Sequence, residues 1–106
     1  MIIDIDSLRA LNTDDTIIVT SHASEQLIRR GIKYRYVKMA IMNGEIIEEY
    51  PNEIPDPRIL ILGYAADMKP LHVVIGIGDW NLRITTAYYP TLDKWENDYK
   101  TRKVVY

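Results

Sequence analysis

The chain contains no cysteine and no phenylalanine. Without a thiol there is neither a disulfide framework nor a thiolate metal site, and that composition suits a reducing compartment. Its two histidines lie far apart, so their spacing forms no metal site, and no cofactor is expected. An excess of cations is missing too, since 13 Lys and Arg face 15 Asp and Glu for a formal charge of -2. Proteins that grip many phosphates carry surplus Lys and Arg, so any nucleic-acid role must rest on a local patch. No apolar run reaches membrane-spanning length, and Met1-Ile2-Ile3-Asp4 lacks the basic start of a signal peptide. The expected location is therefore cytoplasmic, with no membrane partner. Gly-rich phosphate loops and nucleophile elbows are absent as well.

What remains is a chain of 106 residues, 47% hydrophobic and 26% charged. Residues 1–106 read as one globular domain with a single core. Eight tyrosines and two tryptophans make up the aromatic set. Tyrosine carries a polar tip, so several rings are expected half-buried at a sheet edge, groove or interface.

Asp6 to Asn12 is compatible with a short helix capped by Asp6 or Ser7, and Thr16 to Thr20, β-branched throughout, reads as a short strand. The strand leads into Ser21 to Arg30, a helix with Ser21 or His22 as cap and Gly31 as its stop. A second helix covers about Tyr34 to Met42 and ends at Asn43-Gly44. From Glu45 the period becomes extended, with strands at 45–50, 58–64, 71–77 and 82–89. Gly78-Asp79-Trp80-Asn81 predicts a hairpin pairing 77 with 82, 75 with 84, 73 with 86 and 71 with 88. That register puts Thr86 and Tyr88 on the core face and His72 on a face that could stay open. Residues 91–99 read as a short amphipathic turn or helix, and 101–106 as an added edge strand. The fold class is α+β, with N-terminal helices on one face of a roughly four-stranded antiparallel sheet.

The helix at 21–30 holds the one compact chemical constellation. His22, Gln26, Arg29 and Arg30 share one side of it. An imidazole can act as acid or base, or can simply cap the first turn. Arg29, Arg30 and Arg83 can bind a phosphate or carboxylate through forked hydrogen bonds, or can be solvated surface cations. Tyr88 can donate to a phosphate or close the core, and the predicted register favours the core. His72 reads as a surface or edge residue.

The motifs then add up. Thr20-x-His22-Ala23, Arg30-Gly31-Ile32, Asn43-Gly44-Glu45-Ile46-Ile47-Glu48-x-Tyr50-Pro51, Leu71-His72-Val73-Val74 and Thr86-Ala87-Tyr88-x-Pro90, followed by Trp95, span most of the chain. As an ordered set they resemble a family of small prokaryotic domains of unknown function grouped with RelE-like and BrnT-like toxins. The resemblance implies a RelE-like sheet and a metal-free endoribonuclease of the toxin–antitoxin kind, with RNA as substrate and an antitoxin as partner. It implies His22, Arg30 and Tyr88 as catalytic residues, with Thr86 contacting substrate, and the reading of the residues themselves adds Arg83 and Arg29 as substrate contacts. The sequence departs from the pattern at Gln26, where an arginine is expected. The alternative function is a non-catalytic interaction module on the same fold, pairing through an open sheet face or edge with a partner chain or a second copy.

Overall fold

Asp4 opens the first helix, α1 (Ile5–Ala10), by accepting from the Ser7 N–H at 2.7 Å. Capping therefore falls to Asp4 rather than to the expected Asp6 or Ser7. The computed structural model describes residues 4–104. After α1 come β1 (Ile17–Val19), α2 (Ser21–Arg30), α3 (Tyr34–Asn43), β2 (Glu45–Tyr50), β3 (Arg58–Tyr64), β4 (Pro70–Ile77) and β5 (Leu82–Tyr88). Thr20 caps α2 by accepting from the Ala23 N–H at 3.1 Å, which frees the His22 side chain from the capping role its position suggested. Gly31 ends the helix in the left-handed region at φ 67°, while the Ile32 N–H returns to the Leu27 carbonyl at 2.9 Å.

Five strands form one sheet in the order β1-β5-β4-β3-β2, not the four expected. The fifth is β1, which runs parallel to β5 and pairs Ile17 with Leu82 and Val19 with Ile84. Its residues read as a strand from sequence, but a parallel partner far along the chain leaves no hairpin signal to find it by. The other strands are antiparallel neighbours. Val37, Ala40 and Ile41 of α3, with Leu27 of α2, pack on Ile59, Ile61, Val73, Ile75, Leu82 and Ile84. The helix–sheet contact is closest at Gly63, where a Cβ would lie 2.3 Å from the Ala40 carbonyl oxygen. Only glycine fits there.

The hairpin keeps the expected pairs 77 with 82 and 75 with 84, then departs. The register shifts at that point, so Val74 faces Thr86, Val73 faces Ala87 and His72 faces Tyr88. Thr85 is the extra residue of a bulge, and it reverses the faces beyond it. Ala87 is buried in the helix-side core, whereas Thr86 and Tyr88 join His72 on the opposite face. The expectation that Tyr88 closes the core is therefore corrected.

That second face is not left bare. Residues 91–103 fold back across it, with Trp95 bridged to Arg102 and the Lys103 N–H bonded to the Lys94 carbonyl at 2.9 Å. The Asp98 carboxylate turns this segment by accepting from the backbone N–H groups of Lys100 and Thr101. Of the turn or helix expected at 91–99, turns form, closed by the Lys94 and Trp95 N–H groups on the Thr91 carbonyl and the Tyr99 N–H on the Glu96 carbonyl, while no edge strand forms over the described part of 101–106. Residues 105 and 106 lie outside the described residues.

Candidate functional site

Beyond Val19 the edge of β5 has no strand beside it, and α2 takes that place. Arg30 Nη1 donates to the Ala87 carbonyl at 2.8 Å and to the Thr86 hydroxyl at 3.0 Å. Thr86 in turn donates to Gln26 Oε1, and Gln26 Nε2 donates to His22 Nε2 at 3.0 Å. Every donor in this relay points toward His22. With its Nε2 lone pair occupied, the neutral imidazole carries its proton on Nδ1, an assignment made from the network. Gln26 is thus the middle link of the relay, at the position where an arginine was expected.

Two cavities flank the link. The first, about 240 Å³, is lined by His22, Asp56, Arg58, Arg83 and Thr85 among others. Here Arg83 Nη1 donates to Asp56 Oδ2 at 2.6 Å, so Arg83 enters the cavity with its charge matched. The second, about 430 Å³, is lined by Arg30, Tyr88, Pro90, Lys94, Trp95 and Arg102 among others. The expected site residues are therefore divided. His22 and Arg83 meet in one cavity, Arg30 and Tyr88 in the other, and Thr86 lies between. Arg29 is exposed, and among the described residues it makes no hydrogen bond or ion pair. Eight residues of helix separate His22 from Arg30 by about 12 Å along the axis, so the arrangement is two separate cavities with the α2–β5 side-chain bonds between them, not one pocket.

Beneath the folded-back segment lies a third cluster. His72 is fully buried, which corrects the surface reading, between the rings of Tyr88 and Trp95 at centroid distances of 5.2 and 4.5 Å. Its Nε2–H donates to the Tyr99 carbonyl at 2.7 Å. In the neutral ring Nδ1 is then an acceptor, taking the Tyr88 phenol proton at 3.2 Å. Burial pushes the His72 pKa down, against opposing contributions from the Tyr99 carbonyl and the Glu48 charge. Burial likewise pushes the Tyr88 phenol up. Next to them Arg102 grips Glu48 with two bonds of 2.9 Å, from Nε and Nη2, while Tyr50 also donates to that carboxylate. Arg102's hydrogen bond is the main reason Glu48 stays below the usual carboxylate range. The Arg102 guanidinium also lies 4.6 Å from the Trp95 ring centre.

Over residues 19–89 the chain matches a family described as a domain of unknown function, DUF4258. The chain belongs to this family. No curated protein matches the chain, and no solved structure matches it. The family segment runs from the end of β1 through Tyr89, so it holds α2, α3 and strands β2 to β5. It includes the whole His22–Gln26–Thr86–Arg30 relay. Lys94, Trp95 and Arg102 lie beyond it.

Sequence reasoning passed over Asp56, Arg58, Lys94, Arg102 and the burial of His72. Asp56 stands between Pro55 and Pro57, a rigid stretch that marks a fixed loop, and this was the one available signal for it. Glu48 is bound by Arg102 and Tyr50, and the carboxylate that shares the His22 cavity is Asp56. Among the described residues no three His, Asp or Glu side chains gather in a way that could hold a metal ion, and no helix is long and apolar enough to cross a membrane.

Proposed function

We propose that the domain is a toxin-like, metal-free endoribonuclease that lays a single RNA strand over the α2–β5 edge, from one cavity to the other. The grouping with RelE-like and BrnT-like domains is part of the same proposal. One observation carries it: a chain of net charge -2 gathers Arg58 and Arg83 in one cavity at the α2–β5 edge and Arg30, Lys94 and Arg102 in the other. About 12 Å of helix accommodates about three steps of a strand stacked at ~3.4 Å per nucleotide.

Cleavage belongs at the His22 end. There a 2′-hydroxyl attacks the adjacent phosphorus and the 5′-oxygen leaves, giving a 2′,3′-cyclic phosphate. His22 Nε2 takes the hydroxyl proton once Gln26 swings off it, water protonates the departing oxygen, and Arg83 offsets the charge that builds on phosphorus. Arg30 keeps its anchor on Ala87 and directs its remaining guanidinium N–H groups to a phosphate about three steps along the strand.

The test is incubation of purified protein with an unstructured oligoribonucleotide in the presence of a chelator. The expected product carries a cyclic phosphate, and His22→Ala or Arg83→Ala slows its formation by about 10²-fold or more. Intact RNA with the wild-type protein would end this reading.

A specific feature favours the interaction-module reading as the alternative. β1 is an edge strand three residues long, with Ile18 and Ile28 exposed beside a groove lined by Ile17, Val19, Leu27 and Ile32. A second copy pairing along β1 would cover it. A sizing series over concentration decides the point, because a monomer throughout excludes that pairing.

A further inference from the structure

We infer that the cavity at the C-terminal end of α2 is a binding site for a phosphomonoester, the terminal phosphate of an RNA strand or of a free nucleotide. For an RNA end this rests on the RNA reading and names the group held. A free nucleotide would satisfy it without any cleavage.

Charge is the first argument. Three cations line the cavity, and Arg102 is already matched by its two bonds to Glu48. Arg30 and Lys94 have no carboxylate partner among the described residues. Only one guanidinium nitrogen of Arg30 is engaged, and that engagement fixes the group in place. Asp93, next to Lys94 in sequence, accepts from the Thr91 hydroxyl and feels the Lys94 charge without forming an ion pair with it. A phosphodiester brings one negative charge, whereas a phosphomonoester carries about -1.5 to -2 at neutral pH. Two unmatched cations suit the second.

Shape is the second argument. The wall opposite α2 is built from Pro90, Thr91, Lys94, Trp95 and Arg102, all from the segment that folds back on the sheet. The Trp95–Arg102 bridge closes that side, so a strand ends at this wall and does not pass through it. About 430 Å³ is within the range of small-molecule sites and leaves room for a sugar beside the phosphate. Arg30 and Tyr88 of this cavity lie inside the family segment at 19–89, and the closing residues lie beyond it. Tyr88 supplies no donor to the ligand, because its phenol proton is held by His72 Nδ1.

The experiment uses 2′-O-methylated pentanucleotides, which cannot be cleaved by 2′-hydroxyl attack, in three forms: 5′-phosphorylated, 3′-phosphorylated and unphosphorylated. Adenosine monophosphate and inorganic phosphate serve as separate probes. A terminal phosphate is expected to tighten binding by about tenfold or more, and Lys94→Ala to remove that advantage. Lys94 is exposed, so its variant keeps the fold, which circular dichroism checks. If the mononucleotide binds with the same Lys94 dependence while the oligonucleotides show no preference, the ligand is a free nucleotide. Equal binding of all oligonucleotides, with no Lys94-dependent binding of the mononucleotide or phosphate, overturns the inference. The cleavage assay on unmodified RNA is independent: cleavage without end preference sinks only the phosphate site, and end preference without cleavage sinks only the ribonuclease.

Discussion

Acidifying the protein from about pH 7 to about pH 5 removes stability through one buried side chain, His72. In the folded state both ring nitrogens are committed, Nε2 as donor to the Tyr99 carbonyl and Nδ1 as acceptor from Tyr88. Burial holds the folded pKa below the ordinary 6.5. The unfolded imidazole takes a proton near 6.5 while the folded one stays neutral, so below that value the unfolded state binds more protons. The histidine's contribution is therefore fully present above pH 6.5 and is lost as the pH falls toward the depressed folded value. For a single proton the slope is at most about 1.4 kcal/mol per pH unit, a sizeable fraction of a domain stability of roughly 5–15 kcal/mol.

Other groups facing the ring are Tyr88 from β5, Glu48 and Tyr50 from β2, and Arg102 from the folded-back segment. Neither the tyrosines nor the arginine titrates in this window, and Glu48, with its lowered pKa, enters only at more acid pH. Urea unfolding monitored by Trp95 fluorescence at several pH values measures the slope, and His72→Gln is expected to flatten it. A flat wild-type profile between about pH 5 and pH 6.5 would refute the reasoning, and so would an unchanged slope in the variant. Should His72→Gln not fold, the ring's own NMR titration decides: a midpoint at or above 6.5 refutes the burial argument.

Three further outcomes follow from packing and caps. Gly63→Ala drives a methyl into the Ala40 backbone and is expected to cost about 1–3 kcal/mol or more in urea unfolding. Thr20→Ala removes the α2 cap and should cost about 1 kcal/mol by the same measurement. Arg102→Ala leaves the half-buried Glu48 carboxylate without its cation and loosens the segment over the sheet; the emission of buried Trp95 shifts toward that of exposed Trp80, with a loss near 1 kcal/mol at most for so exposed a pair.

Local rules were legible where a single residue type carries them. Gly31 marks a left-handed stop, and the Gly78–Asn81 turn fixes the first two hairpin pairs. The bulge at Thr85 was hidden, because Ile84-Thr85-Thr86 is an unbroken β-branched run with no glycine to flag an extra residue. That one hidden residue moved Tyr88 from the core to the His72 face. The burial of His72 was hidden for a different reason. It depends on residues 91–103, whose order comes from side-chain bonds of Asp98 and Arg102 and not from any periodicity. The helix face of His22, Gln26 and Arg30 was readable by spacing, but its division between two cavities depends on Thr86, 60 positions away from Gln26.

That separation has a consequence for how the edge of the molecule opens and closes. Thr20 alone joins β1 to α2, and both lie against β5. Bringing residues 60 positions apart together costs about 3.6 kcal/mol of loop-closure entropy beyond a constant. Ile17 of β1 and Leu27 of α2 share the core and a single residue joins the two elements, so they dock and undock together. In hydrogen exchange, the amides of β1 and the β5 edge form one opening unit.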